Sequence, residues 1–346
     1  MKLSCCFSEK VVWRESSKIC NFAHNINKNN VKIMMKRLAF AFFMTAAAVF
    51  QTGAQTPVEK PLALADPYIL VEDGVYYAYG TTGDSGIEVF SSTDLENWER
   101  LGWALRKEQT SCPKWFWAPE VYNVNGRYLM YFSGNEKIRA AWSDSPTGPF
   151  NELYTGPLFV QEGNIDHHLY IDEDGKPYMF FVRFDRGNII YSCELEPDFT
   201  TMKLNTLKQV ARPEQEWEKL DAVVNEGPFI IKHNGTYYMT YSGNGYTCKD
   251  YAIGVATSQS INGPWQKVDY NPILRRPNQL VGVGHHSFFR DAKGKLRIVF
   301  HAHSSDTKAH PRDTHIGYVS FKKNPNGGPD IISVDTESII RCSLKQ

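Results

Sequence analysis

Apolar and polar positions alternate along this chain in short runs, and one arrangement of them returns five times. A turn-forming pair ending in glycine stands before a run rich in aromatic and β-branched residues. The pairs are Asp73-Gly74 before Val75-Tyr76-Tyr77-Ala78-Tyr79, Asn125-Gly126 before Arg127-Tyr128-Leu129-Met130-Tyr131, Asp174-Gly175 before Lys176-Pro177-Tyr178-Met179-Phe180, Asn234-Gly235 before Tyr237-Tyr238-Met239-Thr240-Tyr241, and Lys293-Gly294 before Lys295-Leu296-Arg297-Ile298-Val299. Such a pair between two strand-like runs predicts a β-hairpin. The first residues of successive pairs lie 52, 49, 60 and 59 positions apart.

After each hairpin comes a third strand-like run: Ile87-Glu88-Val89-Phe90, Ile138-Arg139-Ala140-Ala141, Ile189-Ile190-Tyr191, Ile253-Gly254-Val255-Ala256 and Ile316-Gly317-Tyr318-Val319. A unit of about 50 residues with three or four strands has the length of a propeller blade. Five units fill residues 62 to about 340, without the long helical periodicity that a barrel of alternating strands and helices requires. The predicted fold is therefore all-β, a five-bladed β-propeller with four-stranded antiparallel blades around a central axis. A β-sandwich also alternates short strands with turns; the count and phase of the units favour the propeller.

The innermost strands of a propeller run beside its axis, so the residues that open them converge at one mouth. Those openings read Ala65-Asp66-Pro67-Tyr68, Ala118-Pro119-Glu120-Val121, Asn164-Ile165-Asp166-His167, Asn225-Glu226-Gly227-Pro228 and Gly284-His285-His286-Ser287. Asp, Asn and Gly before a strand are ordinary turn formers. That does not explain why four of five openings carry an acid facing a shared, partly desolvated channel, where like charges raise one another's pKa. A carboxyl kept protonated beside one kept ionised is what glycosidic cleavage needs: an acid for the leaving oxygen and a base for water.

The stretches Ala65-Asp66-Pro67, Trp117-Ala118-Pro119-Glu120, Ile165-Asp166, Glu226-Gly227-Pro228 and Gly284-His285 resemble the signature segments of glycoside hydrolase family 43, in order and across the repeat region. The resemblance implies a five-bladed propeller and an inverting glycosidase acting on α-L-arabinofuranosyl or β-D-xylosyl linkages of plant cell-wall polysaccharides or oligosaccharides, or more rarely on galactofuranosides or galactosides. It assigns Glu226 as general acid, Asp66 as general base and Asp166 as the third carboxylate that orients the acid. Trp117, Glu120, His286 and Arg312 become the expected substrate contacts, and His285 the expected ligand of one structural calcium or sodium ion near the active site. No organic cofactor is implied. The chain departs from the family pattern where Asp166 is followed by His167-His168 rather than proline, and where the Trp-Ala-Pro segment ends in Glu120 rather than aspartate. A fructan-acting hydrolase would need Asn-Asp-Pro and Arg-Asp-Pro segments, and a sialidase an arginine triad with a tyrosine nucleophile. A carbohydrate-binding propeller without activity has no reason to keep Asp66, Asp166 and Glu226 together.

Charge narrows the partners further. The 346 residues carry 38 basic and 38 acidic side chains, which gives no footprint for nucleic acid or an anionic membrane surface; 13% aromatics suits an aromatic-lined cleft for a sugar polymer. Lys36-Arg37 followed by the apolar run Leu38–Phe50 reads as a secretory signal, too short for a membrane span. The expected organisation is an upstream extension over 1–33, a signal peptide over 34–54 cleaved near Gln55, and one catalytic domain over 55–346, secreted or periplasmic, monomeric and without membrane insertion. Beyond that leader stand Cys112, Cys193, Cys248 and Cys342 with no CxxC spacing, which disfavours zinc and leaves free thiols and disulfides equally open.

Overall fold

A computed structural model describes residues 60–152 and 156–345; the expected extension and signal peptide lie outside the described residues. Five four-stranded antiparallel sheets follow one another along the chain, each a blade with its strands in sequence order. Their inner strands are Ala65–Glu72, Phe116–Val124, Asn164–Ile171, Asn225–His233 and Gly284–Arg290. All five predicted third runs lie in third strands, Gly86–Ser92, Ile138–Ser143, Asn188–Glu194, Ala252–Ser258 and Lys308–Lys322. The protein is thus a five-bladed β-propeller.

The aromatic and β-branched runs after each turn become second strands with buried centres; Thr236–Gly243 is buried throughout and Arg127–Gly134 at all but its first residue. Both faces of a second strand are covered by neighbouring blades, which explains a near-continuous apolar run in place of strict alternation. The core is correspondingly divided into five clusters, each spanning two adjacent blades. The ring closes where Ile69 and Tyr76 of blade 1 meet Phe289 and Val299 of blade 5, with Leu62, Leu64 and Cys342 filling the seam. There Lys60–Pro61 pairs antiparallel with Ser343–Leu344, which in turn lies parallel to Asn97 and Trp98 on the outer edge of blade 1.

Turn chemistry separates the blades into two kinds. Asp73-Gly74, Asn125-Gly126 and Asn234-Gly235 have both residues at positive φ, between 48° and 83°, as a two-residue type I′ hairpin requires. In blades 3 and 5 only Gly175 (79°) and Gly294 (74°) are left-handed, because each closes a longer loop in which its N–H donates back to the carbonyl of Asp172 or Asp291. Cys112, Cys193, Cys248 and Cys342 are all free thiols, and all but Cys248 are buried. Among the described residues no helix is long and apolar enough to cross a membrane.

Candidate active site

Every inner strand is broken near its start by a β-bulge, after Ala65, Trp117, Ile165, Glu226 and Gly284. The residue that follows each break is left-handed: Asp66 (φ 50°), Ala118 (45°), Asp166 (53°), Gly227 (53°) and His285 (40°). A left-handed L-residue costs about 1–2 kcal/mol, and four such residues in equivalent places concentrate strain at one mouth of the propeller. A bulge also re-aims side chains. The register therefore revises the equivalence expected from sequence. Asp66, Asp166 and His285 occupy one class of position together with Ala118 and Gly227, whereas Glu226 stands one residue earlier, matched by Trp117, Ile165 and Ala65.

The strained N–H groups are held by a ring of side chains on the preceding blades. Asp66 N–H donates to His301 Nδ1 (3.1 Å), Ala118 N–H to Thr81 Oγ1 (2.9 Å), Asp166 N–H to Ser133 Oγ (3.0 Å) and His285 N–H to Ser242 Oγ (2.8 Å). Each acceptor lies on a second strand directly opposite the residue before its own blade's bulge. In blade 3 that place belongs to Val182, which offers no acceptor. The Gly227 N–H donates instead to the carboxylate of Asp166. Glycine is required at 227 for a second reason: a Cβ there would lie 3.2 Å from the His285 ring.

These residues floor a cavity of about 580 Å³ lined by Asp66, Asp166, Glu226, His285, Trp117 and Arg312, with Tyr246 and His310 at its rim. Asp66 receives Arg312 Nη1 on Oδ1 (2.9 Å) and Thr81 Oγ1 on Oδ2 (2.6 Å). Burial alone would raise its pKa, but Arg312, His285 and His301 together with the Thr81 hydroxyl hold it well below the usual carboxylate range. Glu226 accepts from Tyr251 Oη on Oε1 (2.8 Å) and from Asn188 Nδ2 on Oε2 (2.8 Å). Its pKa is raised, chiefly by burial, against the pull of His285 and these two donors and with the repulsion of Asp66. Asp166 is raised to about 7, first by burial and then by the charges of Glu226 and Asp66, with His285 opposing. Asp166 and Glu226 thus titrate as a pair that retains a proton near neutral pH. His285 Nδ1 lies 3.4 Å from Asp66 and 3.8 Å from Asp166; burial works against its charge, but the three carboxylates prevail and raise its pKa.

Two expected sugar contacts lie elsewhere. Glu120 follows its bulge instead of preceding it, so its carboxylate turns inward to Tyr122 Oη and His168 Nδ1 (3.1 Å) and does not line the cavity. His286 is likewise buried beneath the floor, its Nε2 against Thr240 Oγ1 at 2.7 Å. In the loop that leads to the blade 4 inner strand, Trp217 lies over Gly243 and Gly254, and Glu218 is buried on Lys267 at 2.6 Å. The sequence reading missed Asn188, Tyr251 and Thr81, none of which stands in a signature segment, although Thr81 and Asn188 line the cavity.

The residues present do not make a site for the cation expected on His285. Among the described residues no three His, Cys, Asp or Glu side chains converge as metal ligands. The axial space below the floor, bordered by Glu120, His167 and His286, measures about 10 Å³, room for about one water. Calcium takes six to eight oxygen ligands, and a space of this size does not admit the several waters needed where side chains do not supply the set.

A sequence profile described as Glycosyl hydrolases family 43 matches residues 55–326. Among solved structures, an endo-1,4-β-xylanase from Bacteroides thetaiotaomicron is 38% identical with a TM-score of 0.78, covering 84% of this chain and 99% of its own. A thermostable family-43 glycoside hydrolase is 36% identical with a TM-score of 0.73, over 81% and 95% of the two chains. Among curated proteins, a β-D-galactofuranosidase from Aspergillus niger is 26% identical over 81% of this chain and 86% of its own, and a xylosidase/arabinosidase from Butyrivibrio fibrisolvens is 27% identical over 68% of this chain but only 46% of its own. With the match spanning all five blades, the chain belongs to glycosyl hydrolase family 43 and is a glycosidase.

Proposed function

We propose that the protein is an inverting glycosidase that cleaves α-L-arabinofuranosyl or β-D-xylosyl linkages in plant cell-wall polysaccharides or their oligosaccharides. One observation carries this reading: around a single cavity, Asp66 is driven toward ionisation while the Asp166–Glu226 pair is driven toward keeping a proton. Glu226, protonated, gives its proton to the glycosidic oxygen as the bond to the anomeric carbon breaks. Water attacks that carbon from the opposite face and passes a proton to Asp66. A carboxylate held this far into its ionised form is a weak base, so Asp66 acts mainly by orienting the water and by opposing the positive charge of the oxocarbenium-like transition state. Arg312 fixes its orientation. Burial and the repulsion of Asp66 raise Glu226, and Asp166 shares a proton with it, because losing that proton would leave two adjacent carboxylates.

Turnover of nitrophenyl α-L-arabinofuranoside and β-D-xyloside tests the assignment. Wild type should hydrolyse one or both, and Glu226→Gln should lose roughly 10²–10⁴-fold, the range of a general acid. The first-formed sugar, followed by proton NMR, should have inverted configuration; a retained anomer overturns the single-displacement mechanism, and with it the carboxyl separation of about 6.5–9.5 Å that inversion requires. The name of the Aspergillus niger relative favours one further substrate, a β-D-galactofuranoside, and the panel should include it. A propeller that only binds carbohydrate would turn over none. We also read residues 34–54 as a leader, so that the enzyme acts as a secreted or periplasmic monomer; N-terminal sequencing of exported protein should begin near Gln55.

A further inference from the structure

The acid and the base are joined beneath the cavity floor by two buried rings. Tyr251, fully buried at the end of the blade 4 loop that also carries Tyr246, donates its hydroxyl to Glu226 Oε1 at 2.8 Å. The Tyr251 ring stacks on His301, with centroids 5.8 Å apart and planes inclined by 11°. His301 Nδ1 in turn accepts the Asp66 N–H at 3.1 Å, in the one place of the acceptor ring where an imidazole replaces a hydroxyl. A backbone N–H can only donate, so Nδ1 is unprotonated and His301 is the neutral Nε2–H tautomer. Burial and the neighbouring Arg312 push its pKa well below the usual histidine value, so it adds no charge to the site. The stack has no slack beneath it either, because a Cβ on Gly284 would stand 2.1 Å from the Tyr251 ring.

We propose that Tyr251 and His301 are positioning residues for the glycosidase reaction, a rigid spacer that sets Glu226 and Asp66 relative to each other: Tyr251 through the acid's side chain, His301 through the base's strained backbone. The inference rests on Glu226 being the acid and Asp66 the base. Asn188 borders the cavity and Tyr251 does not, so Glu226 Oε2 faces the substrate while Oε1 is anchored below. The hydroxyl of Tyr251 therefore turns the proton-bearing oxygen toward the leaving group.

The two halves of the spacer predict different kinetic signatures. Tyr251→Phe keeps the stack and removes only the anchor on the acid. It should lower kcat roughly tenfold or more on an unactivated phenyl glycoside, whose leaving oxygen needs a proton. On a dinitrophenyl glycoside, which leaves without one, kcat should be nearly unchanged, with KM the same for both. His301→Phe keeps a ring under Tyr251 and removes the acceptor for Asp66; it should lower kcat on both substrates alike. Should that variant fail to fold, Tyr251→Phe carries the test alone. A loss in Tyr251→Phe that is equal for the two leaving groups, or confined to KM, or absent, overturns the proposal. Glu226→Gln, measured in parallel, separates the two claims. If it shows the leaving-group dependence and Tyr251→Phe does not, only the spacer fails; if Glu226→Gln lacks it, the acid assignment fails and the spacer falls with it.

Discussion

The two sides of the cavity treat the same chemical group in opposite ways. On the blade 1 side, Asp66 has a guanidinium on one oxygen, a hydroxyl on the other and histidines beyond. On the blade 3 and 4 side, Asp166 and Glu226 are equally buried and share His285 with Asp66, but the hydrogen-bond donors to Glu226 are the neutral Asn188 and Tyr251, and Asp166 has a backbone N–H. Burial penalises every carboxylate here, so what separates them is the presence of a fixed cation. The fold supplies equivalent bulges on all five blades, and chemistry is assigned by what each neighbouring blade places opposite them.

Removing Arg312 should break the contrast most. In Arg312→Met the largest counter-charge on Asp66 is gone, so its pKa rises and the acidic limb of kcat/KM moves to higher pH; the freed carboxylate also loses its orientation, and a misplacement of about 1 Å costs roughly 10²-fold. Activity over pH 3–8 measures both. Gly227→Ala strains the other side, because the new Cβ meets the His285 ring at 3.2 Å from a φ of 53°. A loss of about 1–2 kcal/mol in stability is expected, read as a lower Tm, together with reduced kcat as the Asp166 contact shifts. Glu120→Gln should matter least to the reaction. Its carboxylate serves Tyr122 and His168 behind the floor, so KM should stay at the wild-type value while stability falls by about 1–3 kcal/mol; a large rise in KM would return Glu120 to the sugar subsite.

What could be read in the sequence was periodic. Turn pairs, second-strand runs and their spacing announce a five-bladed propeller, and the openings of the inner strands bring Asp66, Asp166, Glu226 and His285 together. A bulge has no sequence signature of its own. Counting residues without the extra one in each strand made Glu120 and Glu226 look equivalent to Asp66, although they fall on opposite sides of the break. Thr81 and Tyr251 were illegible as site residues for a related reason: they act on the inner strand from a second strand or a loop, and only blade packing decides which side chain arrives. His286 could not be told from His285 because the left-handed turn at 285 sends neighbouring imidazoles to opposite sides of the floor.

The opposed protonation of the two sides is tested most directly by the pH dependence of kcat/KM on an unactivated glycoside, for wild type and Asp166→Asn. With Asp66 held ionised, activity should show no acidic limb down to about pH 4, and it should fall above about pH 7 as the Asp166–Glu226 pair loses its proton. In Asp166→Asn the loss of the shared proton no longer leaves two adjacent carboxylates, so Glu226 releases it more readily and the alkaline limb must move to lower pH. An acidic limb above pH 5 in wild type, or an alkaline limb that stays in place in Asp166→Asn, would contradict the account.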